Sequence, residues 1–418
     1  MFRNDAGVNP GGRQIEWKQR LHLHIWQRIP RQLRRSALFN ATAWLAPRPT
    51  AGAAARWPII VVGSLRTASG LGEGARLCHE ALLRRGHDVY GIDLSSKFRQ
   101  PGPAVPFSFR DGRSMEGAGT IILHVNAPFV PLALMYLGKR LVANKRLVGY
   151  WAWELPAVPP EWCFGLPFVH EVWVPSRFTA DAIAAVAGEV PIRVVPHPVA
   201  ARQIAKVRTG RSEQGRFTAL VVFNMASGFT RKNPVAAIRA FRQAFDDDPS
   251  CRLIVRVVNA NLYPEGFRLL TAAAASQSNI VISHAEFTET SVDDLYASAD
   301  VVLSLHRSEG FGLVVAEAML HGLPVLATNW SGNVDFLTSV NGLPVSYAPV
   351  PATDPQGTYD QPTQIWAEAD TADAALKLRS LRDDPNMRKA LGRQAQLEAA
   401  ALFGVEKFEQ NVMKALNL

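Results

Sequence analysis

The feature that most constrains this chain is a rhythm of short apolar runs, each followed by a stretch long enough for a helix. Pro58-Ile-Ile-Val-Val-Gly63 opens it, and residues 71–85 have helical composition. Further strands are predicted at 87–93, 120–125, 147–151, 171–174 and 192–195. Runs that are apolar at successive positions, not alternate ones, belong to strands covered on both faces, and helical crossovers make such a sheet parallel. Residues 200–216 are polar and charged and read as a linker, after which the rhythm restarts. Strands are expected at 217–223, 253–258, 280–283, 301–305 and 324–327, with helices between them, one over 235–245. Residues 348–365, rich in Pro, Gly, Thr and Asp, read as a surface loop, and the composition from Ala367 onward is helical. The expectation is an α/β protein of two Rossmann-like domains facing each other across a cleft. Its parts are a basic N-terminal segment (1–56), one domain over 57–205, a second over 206–390, and C-terminal helices (391–418) packing back toward the first.

Charge narrows the function. The chain carries a net +9, but residues 1–56 alone hold ten Lys or Arg against two acids, so the body is nearly neutral. That excludes a nucleic-acid surface spread over the fold and points to a basic arm. Three distant cysteines (Cys78, Cys163, Cys251) lack metal spacing and suggest buried thiols in a reducing compartment. The longest apolar stretch, 121–137, is broken by His124, Asn126, Pro128 and Pro131, which argues against a membrane span. With no signal-like apolar core at the start, a cytoplasmic protein is expected.

Ligands of open α/β sheets bind at the C-terminal ends of the strands, beside helix N-termini. Three groups of residues stand at such places. After strand 301–305 comes His306-Arg-Ser-Glu309-Gly310-Phe311-Gly312-Leu313-Val314-Val-Ala-Glu317, a glycine-containing turn running into an apolar helix. Gly310 and Gly312 let backbone approach a ligand, and the amides of Phe311 to Val314 can hold an anion. A carboxylate such as Glu317 in that helix needs partners, which ribose hydroxyls would provide. Singly, Glu309 fits an acid at a helix start and Glu317 an arginine partner; together, with the Gly-Phe-Gly loop, they point to a binding site. After strand 217–223, Arg231 and Lys232 precede Asn233-Pro234 and a helix. Cations at a helix start are mildly unfavourable by themselves but suit a diphosphate.

The third group is weaker. The loop Gly63 to Gly74, with Gly70 and Gly72, is either a plain turn or a cleft wall. His124 and Asn126, after strand 120–125, are either structural or facing that cleft. Trp151, Trp153 and Glu154 suit carbohydrate and plain packing equally. Asp246-Asp247-Asp248 contains an Asp-x-Asp metal pattern but follows a helix and reads as a solvated turn.

The Glu-x7-Glu element, written here Glu309-Gly-Phe-Gly-Leu-x3-Glu317-Ala-Met with Gly-Leu-Pro-Val-Leu-Ala-Thr behind it, resembles the donor site of family-four retaining glycosyltransferases of the GT-B fold. Asn329-Trp-Ser-Gly332-Asn-Val-Asp335 stands where that family carries a further donor loop. The resemblance spans most of 57–415 and is densest over 217–337. It implies a nucleotide-diphosphate sugar donor (UDP or GDP), held by the C-terminal domain, and a glycan or lipid-linked saccharide acceptor on the N-terminal one. Glu309 would face the sugar hydroxyls, Glu317 the ribose, the Phe311 to Val314 amides the sugar and diphosphate, and Arg231 and Lys232 the phosphates. Gly70 and Gly72 would border the donor, and His124 would match the family's cleft histidine. The implied activity is hexosyl transfer, a mannosyltransferase among the options, with retention by same-face attack in polysaccharide biosynthesis. No cofactor and no metal are expected, since the cations and the helix end can answer for the leaving group. Two rivals stand beside this reading: a nucleotide-sugar epimerase of the same fold, and a non-catalytic nucleotide- or glycan-binding module.

The basic arm adds a partner. In residues 13–38, Trp17, Leu21 and Ile25 recur on one side of a helix among arginines, and Pro30 ends or kinks it. Such a segment suits an anionic membrane surface, giving a peripheral protein at the inner face of the membrane; equally, it packs on the N-terminal domain or is a tail.

Overall fold

The computed structural model describes residues 31–98, 103–201, 215–284 and 294–418. Residues 13–30 of the basic arm and 202–214 of the expected linker lie outside the described residues. The N-terminal sheet comprises β1 (Ile59–Gly63), β2 (Val89–Asp93), β3 (Gly119–His124), β4 (Lys145–Tyr150), β5 (Glu171–Val174) and β6 (Ile192–Val194), in the order β2-β1-β3-β4-β5-β6. The second comprises β7 (Phe217–Asn224), β8 (Cys251–Val258), β9 (Ile280–Ser283), β10 (Val301–Ser304), β11 (Val325–Thr328) and β12 (Leu343–Val345), in the order β12-β11-β10-β7-β8-β9. Neighbouring strands run parallel throughout both sheets. These are doubly wound sheets, and the unbroken apolar runs explain them: β1 and β3 are buried at every position. Strand order reverses between β7 and β10, where a doubly wound sheet opens a crevice at the strands' C-terminal ends.

The helices that matter below are α1 (Arg31–Leu45), α2 (Gly70–Arg84), α3 (Val130–Leu137), α4 (Arg177–Ala187), α5 (Pro234–Phe245), α6 (Leu313–Leu320), α7 (Thr371–Asp383), α8 (Pro385–Phe403) and α9 (Val405–Leu416). Residues 31–38 of the basic arm begin α1, whose Phe39 packs edge-on against Phe129, 5.4 Å between centroids. Amphipathic α9 buries Phe408, Val412, Ala415 and Leu416 in one cluster with Leu77 and Cys78 of α2. Its Glu409 pairs with Arg85 at 2.6 Å. α8 instead packs on α6 through Ala395, Ala399 and Phe403.

Two expectations fail. The surface loop at 348–365 is an antiparallel hairpin, β13 (Tyr347–Ala352) and β14 (Gln361–Ala369), inserted between β12 and α7. Its Ala352, Tyr359 and Trp366 are buried in the same cluster as the N-terminal residues Trp151, Trp153 and Trp162. Prolines and polar residues hid it, because only tertiary contact buries its apolar face. The cysteines are all free as expected, but Cys163 is exposed.

Candidate functional site

Both Arg231 and Glu309 lie at the C-terminal ends of the strands where the second sheet reverses, β7 and β10. From β7 the chain passes Asn224, whose side chain caps the Ala226 amide, and a short helix (Phe229–Lys232) that ends at Asn233 in the left-handed region, φ 49°. Pro234 at the first turn of α5 lacks the amide a helix start would leave unpaired. This turn aims Arg231 and Lys232 back toward the end of β10.

There they meet Glu309. Lys232 Nζ donates to Glu309 Oε1 at 2.5 Å, and Arg231 Nη1 lies 3.3 Å from Glu309 Oε2. Arg231 is buried and further anchored to backbone carbonyls, donating to Ser308 O at 2.7 Å and through Nη2 to Ser227 O at 2.7 Å. Burial alone would push the Glu309 carboxyl up, but the fields of Lys232 and Arg231 hold it at about 2. Burial draws the Lys232 ammonium below its ordinary value, with Glu309 pulling it back up. Glu154 of the N-terminal domain acts on both cations as well, so the buried pair lies in the field of two carboxylates.

The backbone beyond Glu309 is set by contacts on both sides. Ser331 Oγ accepts from the Glu309 amide at 2.8 Å, and Gly332 N donates to Glu309 O at 2.9 Å, which ties the expected donor loop to this turn. Gly310 O accepts from Ser176 Oγ at 2.5 Å and Thr179 Oγ1 at 3.3 Å, both from the start of α4 in the N-terminal domain. Gly312, at φ +102°, caps α6 in a conformation that side chains disfavour, and it offers no side-chain acceptor. Among the described residues no side chain caps the start of α6, so its first-turn amides keep the positive end of the helix. Leu313 and Val314 are half-buried, and Phe311 is buried against Phe336 and Phe403.

Glu317 sits one helical step further, half-buried, and accepts from Tyr296 OH at 2.9 Å. Tyr296 stacks on His321 at 4.7 Å. His306, fully buried, bonds Ser304 Oγ and Asn333 Oδ1, each at 3.0 Å, and is a structural strut between the two loops.

The N-terminal wall is mixed. Ser69 caps α2 by accepting from Gly72 N at 3.1 Å, and Asn224 Nδ2 reaches Ala68 O at 3.4 Å, so this loop does touch the second domain. Gly72 is required by packing: a Cβ there would lie 2.5 Å from Ser64 O. Gly70 is exposed and faces open space. His124 is buried, stacked on Tyr150 at 4.4 Å, and Tyr150 stacks in turn on His197 at 5.1 Å. His197 meets the Phe311 ring edge-on at 5.2 Å, completing a column from β3 to the Gly-Phe-Gly loop. Burial, and then His197, push His124 well below its ordinary value, so it is neutral; neither ring nitrogen has a hydrogen-bond partner among the described residues. Asn126 is structural, accepting from Ala152 N at 3.0 Å, and Trp151 and Trp153 are packed against Trp162. The acidic triplet serves its turn, Asp247 accepting from Ser278 N at 2.7 Å and Asp248 from Ser250 N at 2.8 Å.

Among known proteins, the family described as family 4 glycosyltransferase in conflict systems matches residues 176–401, more than half of the chain. The chain belongs to that family. Across curated relatives, this glycosyltransferase-family chain is 29% identical over 178 residues to the D-inositol 3-phosphate glycosyltransferase of an Arthrobacter species, covering 42% of this chain and 37% of that protein. It is 32% identical over 103 residues to the sulfoquinovosyl transferase of Arabidopsis thaliana, 25% of this chain and 17% of that one. The chain thus aligns with about a third or less of the length of these relatives. Solved structures similar to it include a glycosyltransferase from Rickettsia africae (TM-score 0.61, 13% identity, 87% of this chain and 98% of that one). Another is the Anabaena protein HepE in complex with UDP and glucose (TM-score 0.59, 14% identity, 86% and 99%). At such identities the likeness is one of fold, and that fold is GT-B: two Rossmann-like domains.

Sequence reasoning missed Ser176 and Thr179, the Tyr150–His197 column and Tyr359. Ser176 alone left a signal, a serine directly after a strand and before a helix.

Proposed function

We propose that this chain is a retaining, metal-independent glycosyltransferase that moves a hexose from a nucleotide-diphosphate sugar to a glycan or lipid-linked acceptor. One observation carries the reading: Arg231 and Lys232 converge on Glu309 beside the uncapped start of α6, at the switch point of the second sheet. Two fixed, buried cations held side by side suit a diphosphate leaving group. In the reaction the bond from the anomeric carbon to the phosphate oxygen breaks, and its electron pair goes to the diphosphate. The acceptor hydroxyl attacks from the same face and passes its proton to a phosphate oxygen. Glu309, kept ionised by its cation partners, accepts hydrogen bonds from sugar hydroxyls, and Glu317 accepts from the ribose. The C-terminal domain (206–390) is the donor half and the N-terminal one (57–205) the acceptor half. UDP sugars are the first donors to try, since HepE is described with UDP and glucose.

Nucleotide release from UDP- and GDP-sugars, with and without cell lipid extract, tests this. Release stimulated by an acceptor is expected; a donor isomerised without release makes the chain an epimerase, and binding without turnover makes it a binding module. A thermal-shift panel of UDP, GDP, ADP and TDP identifies the base, since 100-fold excess over Kd adds about 2.7 kcal/mol.

Among the described residues no helix is long and apolar enough to cross a membrane. We place the chain in the cytoplasm, peripheral to anionic lipid through residues 13–38, where each Lys or Arg is worth about 1 kcal/mol. Trp44 and Leu45 are exposed at the end of α1. Sedimentation with anionic vesicles at low and high salt should show binding that is lost when the chain starts near Arg56; unchanged binding refutes the arm's role.

A further inference from the structure

The hairpin that sequence patterning missed reaches into the site. Between β13 and β14 the loop is pinned at Asp354, whose carboxylate accepts from the amides of Gln356, Thr358 and Tyr359 at 3.0–3.1 Å. Gln356 closes it onto the β7 side: Oε1 accepts from Phe229 N at 2.6 Å and Nε2 donates to Met225 O at 3.3 Å. At the base, Glu368 of β14 pairs with Arg307, next to the turn that carries Glu309, and accepts from Asn233 Nδ2 at 3.2 Å. On the other side, Ala157 N of the N-terminal domain donates to Gln364 Oε1 at 2.8 Å. These contacts deliver Tyr359, 8% exposed, to the junction of both domains. Its ring packs on Trp153 at 5.4 Å and Trp366 at 6.2 Å, and the Glu154 carboxylate lies in its field. The guanidinium of Arg231 lies over the same ring, 5.2 Å from its centroid.

Resting on the glycosyltransferase reading, we propose that Tyr359 is a positioning residue for the transfer, its ring face holding the Arg231 guanidinium in the orientation that meets the leaving diphosphate. Backbone carbonyls of Ser227 and Ser308 fix the edge of that guanidinium. Those in-plane bonds leave its flat face unsupported, and Tyr359 covers it. An arginine stacked on an aromatic face in a desolvated site is held by the ring quadrupole as well as by shape. Burial pushes the Tyr359 phenol well above its ordinary value, so the ring stays neutral across the working range. Tyr359 acts through Arg231 and needs no contact with the sugar.

The test replaces Tyr359 in the full chain by Phe, 3,5-difluorophenylalanine and pentafluorophenylalanine, which keep the shape while draining the ring's negative face, and adds Tyr359→Leu. Kcat with the nucleotide sugar that the wild-type chain turns over is expected to stay within about twofold for Phe. It should fall stepwise with fluorination, to about a tenth in the pentafluoro variant and in Tyr359→Leu, while the melting temperature stays level across the ring series. A flat fluorination series overturns the proposal, as does a Phe variant impaired as badly as Leu, which would place the role in the hydroxyl. If Tyr359→Leu does not fold, the isosteric series alone decides. Failure of the wild-type chain to turn over any nucleotide sugar would instead sink the transferase reading itself.

Discussion

Glu309→Gln removes one charge and leaves two buried cations facing a neutral amide. A carboxyl held at about 2 in the folded chain, against an ordinary 4.5, favours the folded state by about 3 kcal/mol once both states are ionised. The folded-state value is depressed, so this contribution is fully present above pH 4.5 and disappears as pH falls from 4.5 toward 2. With 8% exposure, solvent screens little of it. The loss in Glu309→Gln should be about 2–3 kcal/mol at pH 7, because Lys232 can shed its proton once Glu309 no longer holds it, consistent with burial already drawing that ammonium down. Urea unfolding of the wild-type and Gln chains, followed by tryptophan fluorescence from pH 7 to pH 3.5, reads the difference directly. The gap should narrow as pH falls below about 4.5 and the unfolded chain's carboxyl protonates while the folded one stays ionised, and Lys232→Met in the Glu309→Gln background should recover part of the loss. A Gln variant as stable as wild type at pH 7, or a gap that does not change with pH, would refute the claim that Glu309 is ionised and held by these two cations.

Arg231→Ala and Lys232→Ala should each lower kcat roughly 100-fold, the usual scale for losing a preorganised charge on a leaving group; near wild-type kcat in both would mean the diphosphate is held elsewhere. Glu317→Ala should weaken binding of the free nucleotide about tenfold in calorimetry, since ribose hydroxyls lose a charged acceptor, and unchanged affinity would remove Glu317 from the site. His124→Ala should lower transfer while leaving nucleotide affinity intact; a variant that melts several degrees lower with full activity makes the histidine a packing element of the Tyr150 column. His124 and His197, whose ring burial pushes it down to about 3, are neutral when folded and charge on unfolding, so stability should fall as pH drops below about 6.5. His197→Phe should flatten that slope in thermal melts at pH 5 to 7.5; an unaltered slope would contradict it.

What the sequence determined by itself was whatever repeats locally. Ile59 to Gly63 and Val301 to Ser304 are apolar at nearly every position, and a strand of that kind can be satisfied only inside a covered parallel sheet. Glu309, Gly310, Gly312 and Glu317 were legible because their spacing sits within one turn and one helix, and Arg231 with Lys232 because a proline and an asparagine mark the helix start beside them. Tertiary structure decided the rest. Tyr347 to Ala369 carries the composition of a loop and becomes a hairpin only because Tyr359 and Trp366 find the N-terminal core, more than 190 residues away in the chain from Trp162. Trp151 and Trp153, ambiguous as text, are packing because Trp162 closes on them. Ser176 and Thr179 acquire their bond to Gly310 only when the two domains meet, and His124 gains its neutral, buried state from Tyr150 and His197, residues on other elements. Local pattern fixes which faces must be covered; what covers them, and how the covering shifts a charge, depends on partners distant in sequence, which composition and spacing do not encode.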